Sequence, residues 1–198
     1  MDVSALHTLT EEFAAYLSEV TAGDLSAPTP CEGWDVGHLY RHMIEENVHF
    51  GLAASGADHV PADVESLRSV AASASAALPP YALETSYRRT SSFMGDAFAR
   101  VADAEGLRRV PGVPGERTVH DLYEMQLCDT LIHTWDLAHA LGLGYDPEPE
   151  IAGVVLRRME SVPESARGPG RAFGEVQSPV DRAASTLDRI VVLSGRAL

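Results

Sequence analysis

The chain has 198 residues, 45% apolar and 22% charged, with 29 acidic side chains against 15 basic ones and a formal net charge of −14. That length supports one domain with a sizeable core, and the acidic excess, offset by no basic cluster, argues against nucleic acids and anionic membranes as partners. Every basic residue is an arginine, which excludes lysine nucleophiles and Schiff bases.

In chain order, Ser4 to Thr21 carries Leu6, Phe13, Ala14, Leu17 and Val20 at helical spacing and reads as an amphipathic helix. Asp24 to Asp35 breaks the period. Pro28, Pro30 and Gly33 mark a structured loop, and Asp35 is placed to cap the next helix. That second helix, Val36 to Phe50, has a core face of Val36, Leu39, Tyr40, Met43 and Phe50. His38 and His49 share a water-facing stripe with Glu45. His42 lies at the edge of the apolar face, where an imidazole is either a hydrogen-bonded core group or a ligand.

Gly51 to Pro61 reads as loop. Ala62 to Leu78 has a thin apolar face (Val64, Leu67, Val70, Ala74) and reads as a helix or a mobile flap, with Pro79 and Pro80 as its stop. Leu83 to Asp103 is the third main helix, with Tyr87, Thr90, Met94, Phe98 and Val101 on one face. Leu107 to Glu116, rich in Pro and Gly, is a connector with room for a short extended pair.

Val119 to Leu141 is the most informative stretch. Thr118 is a good N-cap, with Asp121 three residues on, and Gly142 is a natural stop. Leu127, Leu131, Ala138 and Leu141 form one apolar stripe, and Ile132 and Trp135 add a second, so this helix is packed from several sides. Asp129, His133 and Asp136 interrupt it. Positions four and seven apart fall within about 40° of each other on a helix, so the three share one face. Two carboxylates and an imidazole on a largely buried helix need partners. A further helix runs from Asp146 and Pro147 to Val162, Gly168 to Pro179 is loop, and Val180 to Leu193 forms a last short helix. No stretch alternates long enough to build a sheet. The expected fold is all-α: an up-and-down four-helix bundle with short accessory helices.

The two cysteines, Cys31 and Cys128, are too few for a disulfide framework. The start Met1-Asp2-Val3-Ser4 lacks the basic and apolar character of a leader, which makes the cytoplasm the expected compartment. No Gly-x-Ser-x-Gly elbow and no phosphate loop ending in Lys occurs. The carboxylate of Asp129 beside Cys128 argues against a thiolate there.

Asp129-x3-His133 alone is a weak signal, since such pairs arise by chance in many helices. It gains from lying on an inner helix, from His42 on another helix, and from the habit of bundles to hold metals among facing side chains. Two imidazoles and one carboxylate supply three ligands, the pattern of a catalytic rather than a closed structural zinc site. The same set suits Fe(II) or Ni(II). Asp136, one turn beyond His133, reads either as an acceptor fixing an imidazole tautomer or as a surface carboxylate.

Two segments carry a resemblance: Thr29-Pro30-Cys31-Glu32-Gly33-Trp34-Asp35-Val36 with Leu39 and His42, and His133-Thr134-Trp135-Asp136-Leu137-Ala138. They resemble the signature segments of the DinB-like superfamily, in particular the actinobacterial branch related to the N-terminal domain of mycothiol-dependent maleylpyruvate isomerase. The tail from Asp181-Arg182 through Ser194-Gly195-Arg196 is also similar to the end of small stand-alone members. The resemblance implies a four-helix bundle holding a divalent metal, usually zinc, on His42, Asp129 and His133. It implies that the metal activates a low-molecular-weight thiol, mycothiol or bacillithiol, for transfer to an electrophile. Asp129 stands where the isomerase has a longer Glu, and the isomerase's extra C-terminal domain has no counterpart before Leu198, so isomerisation of maleylpyruvate itself is not implied. Arg41, beside His42, is a candidate for the polar groups of the thiol or an ordinary surface arginine. The expectation is a monomer or homodimer acting on a small molecule. Two rivals stay open: a metal-dependent hydrolase or isomerase using water, and a bundle that binds metal or a small ligand without turnover.

Overall fold

The computed structural model describes residues 1–73, 80–168, 171, 173–177, 179–181 and 183–198. Among them lie seven α-helices: α1 (Ser4–Glu19), α2 (Val36–Ser55), α3 (Ala62–Ser73), α4 (Pro80–Ala99), α5 (Val119–Ala140), α6 (Pro149–Ser161) and α7 (Thr186–Leu193). One antiparallel pair, β1 (Leu107–Arg108) with β2 (Arg117–Thr118), stands before α5. The protein is all-α, and the long helices α1, α2, α4 and α5 make its bundle. No described helix is long and apolar enough to cross a membrane.

Helix ends obey local chemistry. The Asp35 carboxylate accepts the His38 N–H at 2.7 Å and starts α2, and the Thr118 hydroxyl accepts the Asp121 N–H at 3.0 Å and starts α5. Several boundaries differ from those expected from the sequence. α2 continues through Gly51 to Ser55 rather than stopping at Phe50. At Gly51 α4 comes close, since a Cβ there would sit 2.6 Å from the Phe93 ring. The stop is instead Gly56, whose φ of 65° lets its N–H reach back to the Leu52 and Ala53 carbonyls. Pro80 opens α4 rather than only closing the segment before it, a position where its missing N–H costs nothing. α4 ends at Ala99, not Asp103, α6 begins at Pro149, and α7 begins at Thr186 behind the cap Ser185 rather than at Val180. In α3, Val64 and Ala71 are buried while Val70 is exposed, and the expected continuation over 74–78 lies outside the described residues.

α1 and α2 each pack on both α4 and α5, so the order around the bundle is α1, α4, α2, α5. Helices consecutive in sequence, α1 with α2 and α4 with α5, therefore lie across diagonals. The long connections Val20–Asp35 and Arg100–Thr118 make those crossings feasible, because only short links force neighbours together. Two apolar clusters fill the interior. One joins Leu6 and Leu9 of α1, Phe50 of α2, and Met94 and Phe98 of α4 to Leu127, Leu131 and Ile132 of α5, with Val155 and Met159 of α6 and Ile190 of α7 behind them. The other joins α1, α2 and α4 around Phe13, Leu39, Tyr40, Met43, Leu83 and Tyr87, with Leu137 of α5. His133 falls on α5 between the residues given to the first cluster and Leu137 of the second.

Candidate metal centre

The loop between α1 and α2 is a folded lid on the N-terminal end of α2. Thr29 and Trp34 are tied by the Thr29 N–H to the Trp34 carbonyl at 2.9 Å and by the Thr29 hydroxyl to the same carbonyl at 3.0 Å. The Trp34 N–H donates to the Cys31 carbonyl at 3.0 Å, and Gly33 supplies the left-handed turn at φ 76°. This turn carries the Trp34 ring over two imidazoles. It stacks nearly parallel on His133 (11°, centroids 5.6 Å apart) and meets His42 edge-on at 4.8 Å.

Beneath Trp34, three ligand atoms from two helices converge. His42 Nε2 lies 3.2 Å from Asp129 Oδ1, and His133 Nε2 lies 3.5 Å from the same oxygen. The three residues offer ligand atoms all within 4.8 Å of one another. Ligands at zinc distances in a tetrahedral arrangement stand roughly 3.3–3.6 Å apart, so these two spacings are compatible with one shared ion. Asp129 Oδ2 is buried and has no hydrogen-bond partner, which suits a carboxylate whose charge is used by a cation. The His42 and Asp129 side chains retain 26% and 23% of their exposure against 8% for His133, so the cluster meets solvent along the edge those two form.

The electrostatics are those of a tightly paired cluster. Burial would raise the Asp129 carboxyl, but the neighbouring His42 and His133 imidazoles, with Arg196 beyond, hold it below its ordinary range. Burial would depress His42, yet the Asp129 charge and hydrogen bond, aided by Glu46, raise it above the usual imidazole value against an opposing Arg196. These shifts belong to the metal-free cluster, and a bound cation would favour neutral imidazoles instead.

His133 is held from behind. Its Nδ1 lies 2.8 Å from Asp136 Oδ2, and Asp136 is fully buried. Burial would raise the Asp136 carboxyl, and hydrogen bonds from His133 and Arg196 outweigh it and lower it. An ionised Asp136 makes Nδ1 the protonated nitrogen and turns the Nε2 lone pair toward Asp129 and His42. Of the two readings open for Asp136, the surface carboxylate is the one its burial removes.

Other sequence candidates fall elsewhere. His38 is exposed and paired to its own cap, Asp35, and His49 sits beside Glu45 and Glu46. Arg41 Nη1 lies near the first turn of α2, 3.5 Å from where a Cβ on Gly37 would stand, and its charge acts on Asp35. Cys128 is buried among apolar groups, which pushes its thiol up to about 12. Burial also raises Cys31, with Arg196 opposing and Asp136, Asp129 and Glu32 adding to it.

Two contributors have no role assigned by sequence alone. Trp34 could have been suspected from its place beside the cap Asp35, two turns before His42. Arg196 lies in the tail that resembles the end of stand-alone members, a likeness that gives it no role. It is 8% exposed and grips Asp136 with two nitrogens, Nη2 to Oδ2 at 2.7 Å and Nε to Oδ1 at 3.2 Å.

Comparisons with known proteins agree with this architecture. The model of the mycothiol maleylpyruvate isomerase N-terminal domain matches residues 6–138, a span holding His42, Asp129, His133 and Asp136 but ending before Arg196. Over its whole length the chain is 29% identical to uncharacterized proteins of Mycobacterium tuberculosis strains CDC 1551 and H37Rv, which are covered completely. Crystal structures of the mycothiol-dependent maleylpyruvate isomerase and of a histidine-to-alanine mutant of it share the fold, with TM-scores of 0.57 and 0.58 at 17% identity. That likeness covers 79% of this chain and 65% of the isomerase chain.

Proposed function

The chain belongs to the family of the mycothiol maleylpyruvate isomerase N-terminal domain, and from that membership and the geometry around Asp129 we propose that it is a cytoplasmic, single-domain, metal-dependent enzyme that transfers a low-molecular-weight thiol such as mycothiol to an electrophilic small molecule. The observation that carries the reading is the convergence of His42 Nε2, Asp129 Oδ1 and His133 Nε2 at the spacing of ligands to one ion. These residues would hold a divalent cation, zinc first among the metals the donor set suits, with nickel and iron next.

When bound, such an ion supplies the positive charge that keeps a thiol ionised, and still nucleophilic, near neutral pH. The chain's own residues do the rest. Asp136 keeps the His133 proton on Nδ1 and its Nε2 lone pair free. Trp34 stacks over His133 and meets His42 edge-on, leaving the partly exposed His42 and Asp129 edge for the thiol. In the transfer the sulfur forms a bond to the electrophilic carbon, the thiol proton passes to solvent, and the electrophile's displaced electron pair leaves with its departing group. Cys31 and Cys128, both with raised thiols, do not compete as nucleophiles. The acidic surface disfavours nucleic acid as a partner.

The test is metal analysis and then a thiol assay. The purified protein should carry one divalent ion per chain, and His42→Ala and His133→Ala should lose it. With mycothiol and a chloronitroarene, the loaded protein should consume thiol faster than the chelator-stripped protein. Equal rates would overturn the transferase reading. Turnover without thiol would favour the hydrolase or isomerase, and stoichiometric ligand binding with no turnover would favour a binding protein.

A further inference from the structure

The last residues of the chain reach the centre by a backbone crossing. After α7 the chain turns at Gly195, whose φ is 88°. A Cβ at Gly195 would stand 2.5 Å from Gly174 Cα and 2.6 Å from its carbonyl carbon, distances no side chain tolerates. The Gly174 N–H donates to the Ser194 carbonyl at 3.3 Å, and the Arg196 N–H reaches back to the Val191 carbonyl at 3.2 Å. Gly174 itself comes after a segment anchored by Arg167, which donates to the Met159 carbonyl at 3.0 Å and to the Leu193 carbonyl. Two glycines thus let two strands of backbone touch, and the touch aims Arg196 inward.

We propose that this crossing is a positioning device for His133: Gly195 on Gly174 sets Arg196, Arg196 sets Asp136, and Asp136 sets the imidazole. Each link has a contact behind it. Arg196 spends its third nitrogen on the Ser194 carbonyl at 3.1 Å, which fixes the guanidinium plane relative to its own turn. Its other two nitrogens hold both Asp136 oxygens, so the carboxylate has neither rotational freedom nor an unbalanced charge. Oδ2 then has one place to stand, 2.8 Å from His133 Nδ1. A buried carboxylate held by the imidazole alone could turn about its last bond and accept from His133 in more than one ring orientation. Arg196 is therefore a positioning residue, supplied from outside the segment that matches the family model. The inference rests on the proposed ligand role of His133 for one of its two readouts only.

The first readout needs no metal. Nitrogen-15 NMR of the metal-free protein, under mildly alkaline conditions, should show His133 as a single tautomer with its proton on Nδ1. In Arg196→Gln and in Gly195→Ala, which leaves the arginine present but displaces it, that signal should split or move toward a mixture. The second readout is zinc affinity by chelator competition, which should weaken by about 10–100-fold in both variants, the usual effect of losing a partner behind a ligand. Arg196→Lys should recover part of the loss, since the charge returns without the fork. Asp136→Asn with Arg196→Gln should cost no more than Asp136→Asn alone, because both act through one carboxylate. Should Arg196→Gln not fold, Gly195→Ala and Arg196→Lys carry the test. An unchanged tautomer and unchanged zinc affinity in folded variants would overturn the inference, as would additive losses in the double variant. If the wild type takes up no zinc while the tautomer shifts with the variants, the metal reading fails and the positioning device stands.

Discussion

Asp129 and Asp136 lie seven residues apart on one face of α5, yet they differ in how they are satisfied. Asp136 is fully buried and closed by protein: an imidazole nitrogen and two guanidinium nitrogens take both oxygens. Asp129 is partly exposed, shares one oxygen between two imidazoles, and has a second oxygen that is buried without a partner. Buried polar atoms are nearly always paired, and Asp129 Oδ2 is one of the described buried atoms left without a partner. In the proposed reading Asp136 frames the site and Asp129 meets the ion.

The two carboxylates part most clearly when the proposed ligands are changed. Asp129→Asn, His42→Ala or His133→Ala should abolish stoichiometric metal, read by elemental analysis after dialysis, while leaving the helical circular dichroism in place, because none of the three is needed to fill the apolar clusters. Asp136→Asn should behave differently. Metal affinity should fall by about 10–100-fold, and the unfolding free energy of the metal-free protein should fall by about 3–5 kcal/mol, because Arg196 is left buried without its counter-charge. Denaturant unfolding separates the two classes.

A smaller effect comes from pH. Burial opposes ionisation of Asp136, but His133 and Arg196 prevail and hold it below the ordinary value. A depressed carboxyl contributes stability that is complete above the unfolded value of about 3.9 and is lost as pH falls through the folded value. The metal-free wild type should thus lose melting temperature below about pH 4 more steeply than Asp136→Asn. Smallest is the thiol prediction: with its thiol pushed up to about 12, Cys128 should resist maleimide in the native protein and react only on unfolding, whereas half-buried Cys31 reacts slowly. Rapid native labelling of Cys128 would contradict the packing described for α5.

How much of this was legible depends on range along the chain. The face shared by Asp129, His133 and Asp136 comes from helical period alone, and His42 stood out by lying at the edge of an apolar stripe. Contacts of that kind repeat every few residues, so the sequence displays them. The order of helices around the bundle was not legible, because connections as long as Val20–Asp35 allow neighbours or diagonals alike. Gly51 reads as loop by composition, whereas it is buried inside α2 against the Phe93 ring, a contact with a residue 42 positions away. Arg196 pairs with a residue 60 positions away through a turn whose logic lies in Gly174, another distant residue. No local pattern encodes such a meeting.

The proposed site places one ion between α2 and α5. A crystal structure of the zinc-loaded protein, with anomalous scattering at the zinc edge, tests it most directly. A single peak is expected about 2.0–2.2 Å from His42 Nε2, an Asp129 oxygen and His133 Nε2, with Arg196 still on Asp136. Zinc bound elsewhere, or a site in which Asp136 rather than Asp129 is the carboxylate on the metal, would contradict it.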